Sequence, residues 1–82
     1  ARAFTVDVGT GGTASSGVVA MQATAANGWA CNEDDITTPA SESTRQTASS
    51  TTTVTVTNYD RTTGIAAAWT ASDILQFNCQ AY

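Results

Sequence analysis

Apolar and polar residues alternate with a period of two along several short stretches of this chain. That period places successive side chains on opposite faces of a strand. Phe4, Val6 and Val8 alternate with Thr5 and Asp7, which predicts a strand over residues 3–8 with three apolar side chains on one face. Residues 9–17 are rich in Gly and Ser and read as a flexible loop. A second strand over residues 18–24 carries Val19, Met21 and Ala23 on one face. Asn27-Gly28 is a strong turn dipeptide because both residues tolerate positive φ. It leads into a third strand at Trp29-Ala30-Cys31, with Trp29 and Cys31 on the same side.

Residues 33–40 begin with three consecutive acids and read as loop. Residues 43–46 read as a short polar edge strand. The clearest strand covers residues 51–58, with Val54 and Val56 facing in and Thr51, Thr53, Thr55 and Thr57 facing out. Residues 58–64 form a turn-rich connection, and the Ala run of residues 65–69 fits either a helical turn or an irregular crossing. A last strand over residues 73–82 sets Leu75, Phe77, Cys79 and Ala81 against Ile74, Gln76, Asn78 and Gln80. About six strands separated by turn signals predict an all-β fold. The expected architecture is one small antiparallel β-sandwich or barrel, jelly-roll-like, over residues 1–82. Residues 1–4 are a candidate N-terminal arm, since a terminal strand needs pairing in its own sheet or in a neighbour's.

Composition narrows the chemistry. Thr and Ser supply 23 of 82 residues, while Val, Ile, Leu and Phe supply only 12. Such poverty in large apolar side chains often means disorder, but a charged fraction of 12% is too low for that reading. The combination predicts Thr-rich outer faces around a thin interior that gains from burial against a partner. Seven acids, three Arg, no Lys and no His give a formal net charge of −4. Those absences exclude His-based triads, Ser–Lys dyads, Schiff bases and P-loop lysines, so no enzyme and no cofactor are expected. Three scattered Arg argue against nucleic acid as a partner. No stretch approaches the ~20 apolar residues of a membrane span. The Ala1 start fits removal of an initiator Met and equally a mature secreted start.

Each candidate motif has a plain structural reading beside the functional one. Cys31 and Cys79 both fall on faces assigned to the core. They are read as reduced core thiols in preference to a disulfide, which would contribute roughly 4 kcal/mol by closing so long a loop. Glu33-Asp34-Asp35 could supply ligands to Ca²⁺, but it lacks the Gly and distant Glu of an EF-hand loop, so a solvated loop is expected and no metal site. A sugar cleft with paired carboxylates needs more room than this chain offers. Gly9-Thr10-Gly11-Gly12 precedes a strand rather than a helix, which removes the phosphate-loop reading. Tyr59 and Trp69 lie in connections, where aromatics mark contact surfaces. With Arg45 and Arg61 as rim partners, and Arg2 and Phe4 in the arm, they make up the candidate interface. The plain reading is that the aromatics plug the ends of the sandwich.

Gly28-Trp29-Ala30-Cys31, the Thr-rich stretch ending at Asn58-Tyr59, Arg61-Thr62-Thr63-Gly64, Trp69-Thr70-Ala71-Ser72-Asp73 and the closing Asn78-Cys79-Gln80-Ala81-Tyr82 resemble small structural proteins of tailed bacteriophages. The resemblance covers residues 28–82 and includes no catalytic signature. It implies a virion β-sandwich, either a capsid cement (decoration) protein or a tail-fibre module binding a host receptor or glycan. A cement protein is the first expectation: a homo-oligomer, with trimers favoured, bridging major capsid subunits on the outer capsid surface after assembly in the host cytoplasm.

Overall fold

A computed structural model describes residues 2–9 and 14–82. Six strands follow one another: β1 (Arg2–Asp7), β2 (Ser16–Ala20), β3 (Trp29–Asp35), β4 (Glu42–Ser49), β5 (Thr53–Asp60) and β6 (Ile74–Ala81). They form two three-stranded sheets, ordered β1-β6-β3 and β2-β5-β4, with every pairing antiparallel. The described residues contain no helix, and the expected all-β sandwich is what the chain adopts. Only β4 and β5 are joined as a hairpin; each other connection crosses between the sheets.

The core follows the alternation. Val54, Val56 and Asn58 of β5 point inward, as do Leu75, Phe77 and Cys79 of β6 and Trp29 of β3. Met21 and Ala25 fill the gap between strands. Phe4 stands opposite Phe77 in the β1–β6 ladder, and their rings stack with centroids 5.0 Å apart. The candidate arm is therefore paired inside its own sheet, where Arg2, Ala3 and Phe4 face Cys79, Asn78 and Phe77. Ala1 and residues 10–13 of the Gly-rich loop lie outside the described residues. Ser16 and Gly17 from the end of that loop already belong to β2.

Several boundaries differ from expectation for local reasons. β2 stops at Ala20 because its partner stops: Ala20 pairs with Thr53, where β5 begins. Thr51 and Thr52 belong to a turn instead of β5. The Ser50 hydroxyl accepts the amides of Thr52 and Thr53 at 3.2 and 3.0 Å and competes with the ladder there. At its other end β5 runs on to Asp60, so Tyr59 is a strand residue and not part of a connection. The Ala run is neither helix nor free crossing. It doubles back on β5, with Ala67 N–H donating to Asn58 O and an isolated bridge between Tyr59 and Ala66. The reversal between them needs a positive φ, supplied by Gly64 at +72°.

β3 departs most from the pattern read in the sequence. It continues through Glu33, Asp34 and Asp35, pairing these with Phe77, Gln76 and Leu75 of β6. Strict alternation then turns Glu33 and Asp35 inward, in phase with Trp29 and Cys31, and leaves Asp34 exposed. The acids do not form a solvated loop. β3 also meets β4 across the sandwich. There the Gln46 side chain reaches over from β4, donating to Trp29 O at 2.8 Å and accepting from Cys31 N–H at 2.6 Å. One amide thus satisfies two backbone groups on the free edge of β3, which blunts that edge against further pairing.

Cys31 and Cys79 are directly opposed on β3 and β6 and joined in a disulfide, in place of the preferred pair of reduced thiols. Counting cysteines could not find this, because it depends on register: the pairing brings their Cα atoms to 4.1 Å. The bridge closes a sequence separation of 48 residues. In the loop-entropy account that stabilises the fold by roughly 4 kcal/mol, a large share of what a small domain has. Reduction with dithiothreitol should lower the urea midpoint by a corresponding amount, and the denatured, unreduced protein should show no free thiol. Two reactive thiols before reduction would refute the pairing.

Candidate functional site

The six residues expected to form one contact surface occupy three separate places. Arg45, Tyr59 and Arg61 come together on the outer face of the β2-β5-β4 sheet. Arg45 and Tyr59 project outward from neighbouring strands, and the guanidinium lies 5.9 Å from the ring centroid. Arg61 folds back to donate from Nε to Glu42 O at 3.0 Å. Together with Ser43, Asp60 and Gly64 these residues line a shallow polar depression. Trp69 is not on that surface. It packs against the core and donates from its indole nitrogen to Thr44 Oγ1 at 3.0 Å, as an end plug would. Phe4 and Arg2 lie on the other sheet.

The sheets converge along β3 and β4 and remain apart along β1 and β2, which do not approach each other among the described residues. Along this open side runs an apolar groove. One part of about 250 Å³ is lined by Val6, Val8, Val19, Val56, Trp69 and Phe77 among others. A second part of about 350 Å³ reaches Arg2, Phe4 and Met21. Phe4, Val6, Val8 and Val19 pack on the core yet stay only partly covered, and Val18 on the β2 edge is exposed. Among the described residues, both strands also present an unpaired backbone edge here.

The opposite character prevails at the end of the sandwich where β3 finishes and β4 begins. Asp35, Glu42, Thr44, Asn58 and Asp73 are all buried there. Asn58 is fully enclosed and satisfied: its Oδ1 accepts from Thr44 Oγ1 at 3.1 Å, and its Nδ2 donates to Glu42 Oε1 and Ala67 O at 2.9 and 3.1 Å. Glu42 also accepts from the Thr70 hydroxyl and, at 3.4 Å, from its amide. Asp35 Oδ1 accepts the amides of Thr37 and Thr38 at 3.0 and 2.8 Å, and Asp73 Oδ1 accepts from Thr38 Oγ1 at 2.8 Å. Oδ2 of Asp35 and Oδ2 of Asp73 have no hydrogen-bond partner. One carboxylate oxygen from each of Asp35, Glu42 and Asp73 lies within 4.8 Å of the others, a spacing open to a cation.

Burial, the neighbouring Asp35 carboxylate to which a protonated Asp73 can donate, and the nearby charges of Asp35 and Glu42 raise the Asp73 carboxyl from 3.8 to about 6, against a smaller opposing effect of Thr38. Sequence reading placed Asp35 in a solvated cluster and did not single out Glu42 or Asp73. The signal was nevertheless present, because Asp73 precedes Leu75, Phe77 and Cys79 at the same period of two.

Glu33, half-buried, is the second acid on the inner face of β3. Both its carboxyl oxygens are enclosed without a partner, and burial, helped by the adjacent Asp34 charge, raises it from 4.5 to about 7. For both Glu33 and Asp73 the folded state holds the proton more tightly than the unfolded chain does. Their contribution is therefore fully present below pH 4 and is lost as pH rises towards about 7. In chelator, the urea midpoint should be higher at pH 5 than at pH 8, and Glu33→Gln should flatten that difference by raising the pH 8 midpoint. Equal midpoints for the native protein at the two pH values would contradict this account.

Among the described residues, no helix is long and apolar enough to cross a membrane. Comparison with known proteins finds no family model, no curated protein and no solved structure that matches the chain.

Proposed function

We propose that this chain is a non-enzymatic structural module of a virion, a cement protein that lies across seams between major capsid subunits on the outer surface. The observation that carries this reading is the open side between β1 and β2. Among the described residues eight apolar side chains are buried, and the groove leaves Phe4, Val6, Val8 and Val19 partly covered beside two strand edges that no described strand pairs. An extended apolar segment of a capsid subunit laid there would finish the core. Apolar area covered in this way contributes about 25 cal/mol per Å² before the losses of association are subtracted.

Strand edges supply direction as well as area, because a segment added to β1 or β2 satisfies its own amides on the exposed ladder. A module that binds only the assembled shell stabilises that shell by mass action. The net charge of −4 favours an exterior position, away from packaged nucleic acid. Further copies of the chain, with trimers favoured, would spread the contact over several subunits.

Purified protein should co-sediment saturably with expanded capsids that lack it. Val18→Glu, at an exposed position bordering the groove, should weaken that binding by roughly tenfold or more while leaving the urea midpoint unchanged. Absence of saturable binding would remove the cement reading. Binding to host-surface glycan through Arg45, Tyr59 and Arg61 would instead support a tail-fibre module.

A further inference from the structure

We propose that Asp35, Glu42 and Asp73 form a divalent-cation site of calcium type that clamps the two sheets together at one end of the sandwich. The three carboxylates arrive from separate places in the chain: the last residue of β3, the first residue of β4 and the residue preceding β6. β3 and β6 belong to one sheet and β4 to the other, so an ion held by all three would tie the sheets to each other.

The spacing of the three carboxylates is of the order that one shared ion requires. Calcium binds oxygens at about 2.3–2.6 Å, so two oxygens on one ion lie no more than roughly 5 Å apart. The three carboxylate oxygens fall within 4.8 Å of one another. The second observation is independent of this spacing. Asp35 and Asp73 are 3% and 0% exposed, yet each leaves Oδ2 enclosed and without a donor. A buried carboxylate oxygen in that condition is destabilising unless a proton or a cation meets it.

The surrounding hydrogen bonds have the arrangement expected around metal ligands. Backbone amides hold Asp35 Oδ1, the Thr38 hydroxyl holds Asp73 Oδ1, and Asn58 and Thr70 hold Glu42. These donors fix each carboxylate in place and leave Oδ2 of both aspartates buried and unpartnered. The ligands are all hard oxygens, which excludes a preference for soft metals. Magnesium demands near-ideal octahedral geometry at short distances, whereas calcium accepts carboxylates in looser arrangements, mono- or bidentate, so calcium is the better fit to three carboxylates this far apart.

Equilibrium dialysis of chelator-stripped protein against ⁴⁵Ca²⁺ at pH 7.5, paired with thermal melting in EDTA, CaCl₂ or MgCl₂, tests the site. One bound calcium per chain is expected, with Tm rising by roughly 10 °C or more at a hundredfold excess over Kd and rising less in magnesium. Asp35→Asn and Asp73→Asn should each weaken binding at least roughly tenfold, yet melt in EDTA no lower than the native protein, because each removes a buried like charge. No binding by the native protein at about 5 mM calcium would overturn the proposal, whether or not the variants fold. So would an equal calcium shift in native protein and folded variants. In either case the cluster would be a set of acids sharing protons.

Discussion

The interior of this protein is too small to be filled by hydrocarbon alone, and the buried Asn58 amide is what makes the remainder workable. It sits on the inward face of β5, two residues beyond Val56, where a larger domain would place another aliphatic side chain. Its side chain is met by hydrogen-bond partners on two sides: Thr44 and Glu42 on β4, and the Ala67 carbonyl on the returning chain. A satisfied hydrogen bond adds only about 1 kcal/mol, whereas an abandoned buried group costs about 1–3 kcal/mol. The network therefore matters less for its summed strength than for the register it enforces. Sliding β4 by one residue would expel Glu42 and Thr44 and strand Asn58.

From that amide the polar interior spreads outward. Glu42 fixes Thr70, Thr44 fixes the Trp69 indole, and Trp69 then closes the end of the apolar core. Asp35 and Asp73 extend the same interior across to the other sheet through Thr38. Carboxylates on the inner faces would be anomalous in a thick core. Here they occupy the end of a sandwich measuring 35 × 21 × 20 Å, where water is excluded but few apolar side chains are at hand.

The alternation of apolar residues made the sandwich and most inward positions legible, because Val54, Val56, Leu75 and Phe77 read the same way in one dimension as in three. It was less informative where polarity was taken as a sign of exposure. Glu33 and Asp35 continue the phase of Trp29 and Cys31, but three consecutive acids look like loop to any reading that weighs residue type above period. Asp73 is distant in sequence from Asp35 and Glu42 lies in a different sheet, so only the crossing connections bring the three together. The disulfide was hidden for the same reason: two cysteines are ambiguous until β3 and β6 are known to pair in register. Tyr59 and Trp69 were grouped by chemistry, yet one faces outward from a strand and the other inward from a return, so chemical likeness did not mean a shared surface.

The devices that hold the sandwich are unevenly distributed, and this asymmetry bears on how it could work. The disulfide pins β3 to β6, Gln46 stitches the edge of β3 to β4, and the acid end joins β3, β4 and the approach to β6. All three involve β3. On the far side, β1 is held by its ladder to β6 and by the Phe4–Phe77 stack, while β2 is held by its ladder to β5 and by Val19 packed on the core. Nothing among the described residues draws those two edges together. A domain fastened along one side and loosely closed along the other concentrates its unfinished burial on the loose side. A partner that docks there completes a core instead of covering a finished surface, so binding and folding stability become linked through the same Val and Phe side chains.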